Sequence, residues 1–123
     1  MPRHAKQDPA REERIAYEIV VDAYDETERA MGWYYYLEDH LHVPFVATCR
    51  LERTTSPLKA GEKVKVLGMA PEDDCMSEVY VRIEYGDSEL AVPLGQLECH
   101  SRDKATCEAV ADWHYWQDRG NEY

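Results

Sequence analysis

The sequence predicts an α+β protein, a small antiparallel β-barrel with helices at its N- and C-terminal ends. Three observations predict it. The apolar period is helical over roughly residues 9–41, changes to two after Pro44, and becomes helical again after about residue 103. Glycines and prolines punctuate the middle of the chain at short intervals, as they do between short strands. One segment, VYVRIEY–GD–SELAVPL, reads as a hairpin whose register is set by its own side chains.

The elements follow in order. Residues 1–7 form a loose tail, and residues 8–123 one domain, a size that supports one core. Asp8-Pro9 starts a helix, with a capping carboxylate and proline at the first helical position. Ile15, Ile19 and Ala23 then lie on one face at steps of four, opposite Glu12, Glu13, Glu18 and Asp22. Asp25-Glu26-Thr27-Glu28 has the form of a capping box. Gly32 lowers helix stability by about 1 kcal/mol relative to alanine, so a break is expected there, with helix over about 33–41. In that helix Trp33, Tyr36, Leu37 and Leu41 share a face, and Glu38 and Asp39 occupy the last turn, where the helix dipole disfavours acids. Pro44 ends it.

Residues 45–51 read as a strand, TTSPLKAG as a turn-rich connection, and GEKVKVLGMAP as a second strand with Val64 and Val66 inward and Lys63 and Lys65 outward. In the hairpin, Gly86 as first loop residue suits a type II′ turn. That turn pairs Tyr85 with Ser88, Ile83 with Leu90, Val81 with Val92 and Val79 with Leu94, and sets Glu84 opposite Glu89. Like charges so opposed destabilise; screening by water and Arg82 is expected, with a bound cation as the alternative. Residues 93–97 read as a 3₁₀ closure. Ser101 is expected to cap a last helix of about 103–118, with Ala105, Ala109, Trp113 and Trp116 inward and Gly120 ending it. Five short strands with these connections read as an SH3-like barrel.

Charge is the most informative functional signal. The chain carries −11. Residues 18–39 hold seven carboxylates against Arg29, and residues 72–89 seven more against Arg82, so these two windows account for all of it. Crowded like charge costs self-repulsion, and a hard divalent cation held by carboxylate oxygens would relieve it. The same acidity argues against nucleic acid and anionic membranes as partners. No apolar run is long enough to span a bilayer. The N-terminus has no signal-peptide stretch, so a cytoplasmic location is expected.

No EF-hand loop is present; the nearest acidic loop, PEDDCMSE, lacks its glycine and its alternation. Nor is there a Gly-rich phosphate loop, a nucleophile elbow or a kinase-like motif, and an enzyme is not expected. His40 and His42 beside Asp39 read as surface histidines. Cys49, Cys75, Cys99 and Cys107 show no CxxC spacing and read as free, mostly buried thiols. A zinc set of Cys99, His100, Cys107 and His114 can be drawn, but its spacing matches no usual pattern.

The pattern RIAYEIVVDAYDETERAMGWYYYLEDHLHVPFVATC, with GEKVKVLGMAPEDDC, ELAVPLGQLE and ADWHYW downstream, resembles the small bacterial calcium-binding proteins of the CcbP type over about residues 12–118. The run MGWYYYLEDHL is the specific part. The resemblance implies a compact α+β protein that binds Ca²⁺ through surface acidic residues without an EF-hand, as a buffer or sensor. It points to Glu38-Asp39, and to the loop Glu72-Asp73-Asp74, as where ligands lie. The expected site is Glu38, Asp39, Asp73 and Asp74, aided by carbonyls and water. A second reading is an SH3-like interaction module whose acidic face recruits a basic partner. A third is a zinc or thiol redox protein using Cys99, Cys107 and His114.

Overall fold

The computed structural model describes residues 8–121 and 123; the expected tail, residues 1–7, lies outside them. Helix α1 spans Pro9–Arg14, with the Asp8 side chain accepting from Arg11 N–H at 3.1 Å. It runs on as a π-helical turn over Ile15–Ile19, closed by Val20 N–H on the Ile15 carbonyl at 2.9 Å. Ile15 and Ile19 are buried as expected. The helix stops before Ala23, because Asp22 turns the chain with φ of +58°.

Helix α2 spans Glu26–His40 without the break expected at Gly32. Asp25 caps it by accepting from Glu28 N–H at 2.8 Å. Gly32 is there for contact, not interruption. A β-carbon on it would run into the Ile19 carbonyl oxygen, so glycine lets α2 cross the end of the first helix at backbone distance. Trp33, Tyr36, Leu37 and Leu41 all face the core.

Five strands follow: β1 (Phe45–Cys49), β2 (Lys63–Met69), β3 (Tyr80–Tyr85), β4 (Ser88–Pro93) and β5 (Leu97–Cys99). They form one antiparallel sheet in the order β4-β3-β2-β1-β5. The expected barrel is not formed: β4 and β5 are the two margins, and the sheet is open. The first strand also ends at Cys49, two residues short of the expected Leu51. The hairpin register is as read, from Tyr85↔Ser88 to Val81↔Val92, and Leu94 N–H bonds the Val79 carbonyl at 2.9 Å. Gly86 has φ of +62°, as the first residue of a type II′ turn requires. Glu84 and Glu89 do oppose each other, and each has its own cation: Lys65 at 3.5 Å from Glu84 and Arg82 at 2.8 Å from Glu89.

A 3₁₀ turn, Leu94–Gln96, carries the chain from β4 to β5. Helix α3 spans Lys104–Asp118. Its cap is Asp103, which accepts from Thr106 N–H at 2.9 Å, and not Ser101, whose hydroxyl accepts from Asp103 N–H at 3.0 Å. With the start set there, Thr106, Ala109, Val110 and Trp113 form the inward stripe and Ala105 is exposed. Gly120, at φ +93°, follows its end. No helix among the described residues is long and apolar enough to cross a membrane.

The helices meet the sheet in one apolar core. Trp33 of α2 and Trp113 of α3 sit edge to face, 5.1 Å between ring centres, both fully buried. Beside them lies Asp112, a carboxylate with no exposed surface. Arg14 bonds both its oxygens, at 3.0 and 2.6 Å, Arg11 reaches it at 2.8 Å, and the Tyr36 hydroxyl donates at 2.8 Å. One buried acid thereby joins α1, α2 and α3. Burial, with the bond to Asp112, pushes the Tyr36 phenol well above its ordinary range.

Two outcomes follow from this packing. Gly32→Ala gains helix propensity but drives a methyl into backbone, so stability should fall by about 1–3 kcal/mol; a urea midpoint at or above that of the parent would refute the close approach. The second concerns His114, half-buried near the Leu94 carbonyl at 3.4 Å. Burial, and secondarily Arg50, lowers its pKa to about 4 from 6.5. The unfolded chain therefore binds this proton first, and stability should decline as pH drops from about 6.5 to about 4, by about 2–3 kcal/mol from this ring. His114→Gln should flatten the profile across that interval in chemical denaturation, and an unchanged slope would remove His114 as the cause.

Candidate metal centre

The acidic corner is built where α2 ends against the turn that follows β2. Residues 72–75 form a 3₁₀ turn after Pro71, closed by Asp74 N–H on the Pro71 carbonyl at 2.9 Å. Proline sets the backbone for the turn, and three consecutive acids suit its solvated outer side. Cys75 turns inward into a small cluster with Ala70 and Tyr34.

Two tyrosines of α2 fasten the helix to this turn. Tyr34 is buried and donates to the Ala70 carbonyl at 2.9 Å. Tyr35 is half exposed and donates to Glu72 Oε1 at 3.1 Å. Glu38 lies one turn further along, three and four residues on from these tyrosines, so it shares their side of the helix. The two carboxylates act on the same phenols. Tyr34 is raised by burial first and then by Glu38 and Glu72; Tyr35 is raised by its bond to Glu72 and then by both charges. Glu38 also lines a cleft of about 220 Å³ with Leu41, Val43, Leu67, Gly68, Met69 and Arg82.

The four expected ligands are therefore placed as follows. Glu38 and Asp39 are in the last turn of α2, and Asp73 and Asp74 in the 3₁₀ turn; all four are exposed. The helix end and the loop do lie against each other, as the site requires. The carboxylate that the fold brings to Glu38's side is Glu72, whose partner is Tyr35. Among the described residues, no three His, Cys, Asp or Glu side chains stand close enough to hold a metal ion between them. The donors at the corner are carboxylate and phenol oxygens, which suit a hard cation such as Ca²⁺ better than a soft one. Two neighbouring carboxylates fall short of the six to eight oxygens Ca²⁺ takes, so carbonyls and water would have to supply the rest.

The signal for Glu72 was present in the sequence as the first of three acids. What the sequence lacks is the pairing with Tyr35, a contact across 37 residues.

The other polar clusters do different work. His40 stacks on Tyr36, 4.1 Å between ring centres, with Nδ1 2.7 Å from the Tyr36 carbonyl. His42 Nδ1 lies 2.9 Å from Asp103. The zinc set does not assemble: His100 Nε2 lies 2.9 Å from the Thr48 hydroxyl, His114 faces the Leu94 carbonyl, and only the sulfurs of Cys99 and Cys107 meet. All four cysteines are free thiols; Cys49 and Cys75 are buried, Cys99 and Cys107 half-buried.

Comparison with known proteins agrees with this fold. Anabaena CcbP, solved by crystallography, is 44% identical and superposes with a TM-score of 0.85 over 98% of this chain and 99% of its own. A structure described as a calcium-binding protein in the calcium-binding form is 41% identical, with a TM-score of 0.84 over 95% and 96% of the two chains. No curated protein matches. The family model for CcbP, described as "Calcium binding", matches residues 13–117. With the family pattern covering nearly the whole chain, the protein belongs to the CcbP calcium-binding family.

Proposed function

We propose that this protein binds Ca²⁺ reversibly through surface carboxylates at the corner between the end of α2 and the 3₁₀ turn. The observation that carries the reading is membership of a calcium-binding family by a chain that brings two acidic segments together there. Glu38 and Glu72 form the centre of the proposed site, with Asp39, Asp73 and Asp74 adding charge, and carbonyls and water completing the shell. The mode is not that of an EF-hand, whose loop pattern the sequence lacks. A surface site with few rigid ligands has modest affinity and exchanges its ion quickly, which suits a buffer or a sensor. The proposal keeps the cytoplasmic setting read from the sequence.

Calorimetric titration of Ca²⁺ at low salt is the direct test. Glu38→Gln and Glu72→Gln should each weaken binding by ~10-fold, since affinity follows the number of charged ligands. Asp39→Asn and Asp73→Asn should weaken it less. Full affinity in both glutamine variants would move the site away from this corner; no heat from the parent protein would overturn calcium binding itself.

Thermal melts give an independent check. An ion that binds only the folded state stabilises it by about 2.7 kcal/mol at 100 times its dissociation constant. Ca²⁺ should thus raise the melting temperature above that in chelator. Mg²⁺ should do so weakly, because it demands a tight octahedron and holds its water. Equal shifts with both ions would indicate counterion screening and not a site.

A further inference from the structure

The sulfurs of Cys99 and Cys107 lie 2.6 Å apart, with the Cys107 S–H directed at Cys99 Sγ. That is closer than the ~3.5–4.0 Å of ordinary non-bonded contact, and a movement of about half an ångström would reach the ~2.05 Å of a covalent S–S bond. The two residues come from separate elements. Cys99 is the last residue of β5, held by the ladder to β1 through its pairing with Ala47. Cys107 is in the first turn of α3. The corner between them is ordered by its own contacts: Ser101 N–H donates to Cys99 Sγ at 3.4 Å, and Cys107 Sγ lies 3.4 Å from the Ser101 carbonyl oxygen. The sulfurs are thus held face to face by the fold, and both residues are half-buried, within reach of a small oxidant. The other two thiols are differently engaged, Cys49 with the Leu51 carbonyl and Cys75 with the Tyr80 backbone.

We propose that Cys99 and Cys107 are a reversible redox pair, closing to an intramolecular disulfide that staples β5 to the start of α3. A low-molecular-weight disulfide, RSSR, serves as oxidant. Burial first, and then the Cys107 thiol, push Cys99 up to about 12. One thiol of the pair, as its thiolate, bonds one sulfur of RSSR and expels RS⁻. The other then attacks the protein sulfur of this mixed disulfide and expels the second RS⁻. The protein loses two protons and two electrons, and RSSR becomes two RSH. The staple closes on the corner where the Thr106 hydroxyl accepts from His42 N–H at 2.9 Å, so it also locks α3 against the chain leaving α2.

The test uses the full chain, incubated with glutathione disulfide and compared with the same protein in excess dithiothreitol. Trypsin cuts after Arg102 and Lys104, between the two cysteines, so the bond appears as two peptides joined through Cys99 and Cys107. Oxidation should also remove two of the four titratable thiols and raise the melting temperature by roughly 5–10 °C, as expected for a short loop closed in a domain of this size. Cys99→Ser should stop at a glutathione adduct on Cys107, with no joined peptides and no rise in melting temperature. Four thiols persisting after oxidation, joined peptides from other cysteines or from two copies, or an unchanged melting temperature in the cross-linked protein would each overturn the proposal.

Discussion

Asp112 is the point on which the helical half of the molecule depends. A carboxylate without exposed surface costs several kcal/mol to desolvate unless its charge and lone pairs are met. Here Arg11, Arg14 and a phenol meet them, and these partners come from two other helices. Such a group is strict about geometry in a way that apolar contact is not. It fixes how α1 and α2 lie on α3, and so which side of α2 carries Tyr34, Tyr35 and Glu38 toward the turn after β2. Arg14 is in turn held firmly protonated by its bonds to Asp112. The electrostatics of the buried centre and the placement of the acidic corner are thus one problem with one solution.

Much of the sheet was legible in the sequence because its information is local. Alternation identified the inward residues of β2, and Gly86 at φ +62° set the hairpin register that pairs Ile83 with Leu90. The helix ends were legible where a cap acts on its own helix, as at Asp8 and Asp25. The misreadings share a physical cause, which is that the deciding contact is distant in sequence. Gly32 looks like a break until the Ile19 carbonyl is placed beneath it. Asp112 carries no local sign of its burial, because the arginines of α1 arrive from about a hundred residues away. The cap of α3 is the exception, decided locally: Ser101 accepts from Asp103 N–H, and Asp103 accepts from Thr106 N–H. Closure of the sheet depends on whether its margins meet, which alternation along single strands does not encode.

The candidate site divides in the same way. The acidic windows are plain from composition, and their tyrosine-rich neighbour was recognisable as a family pattern. Which acids stand together was not. Within the second window, residues 72–89, charge is handled in two ways. In the hairpin, Glu84 and Glu89 meet Lys65 and Arg82, and Glu78 meets Arg53 at 2.9 Å. At the α2 corner Glu72 meets a neutral hydroxyl instead. A hydroxyl bond orients a carboxylate without cancelling its charge, so Tyr35 positions Glu72 without neutralising it.

The open sheet has a consequence for how the molecule behaves in a crowd. Any sheet that does not close offers backbone donors and acceptors along both borders, and a stray chain can add there. One border of this protein, Leu97–Cys99, is too short to template a long addition. The other carries Glu89, held to Arg82, and finishes at Pro93, which has no N–H to give. Incomplete closure is thereby made safe against fibril-like growth by brevity on one side and by charge and proline on the other.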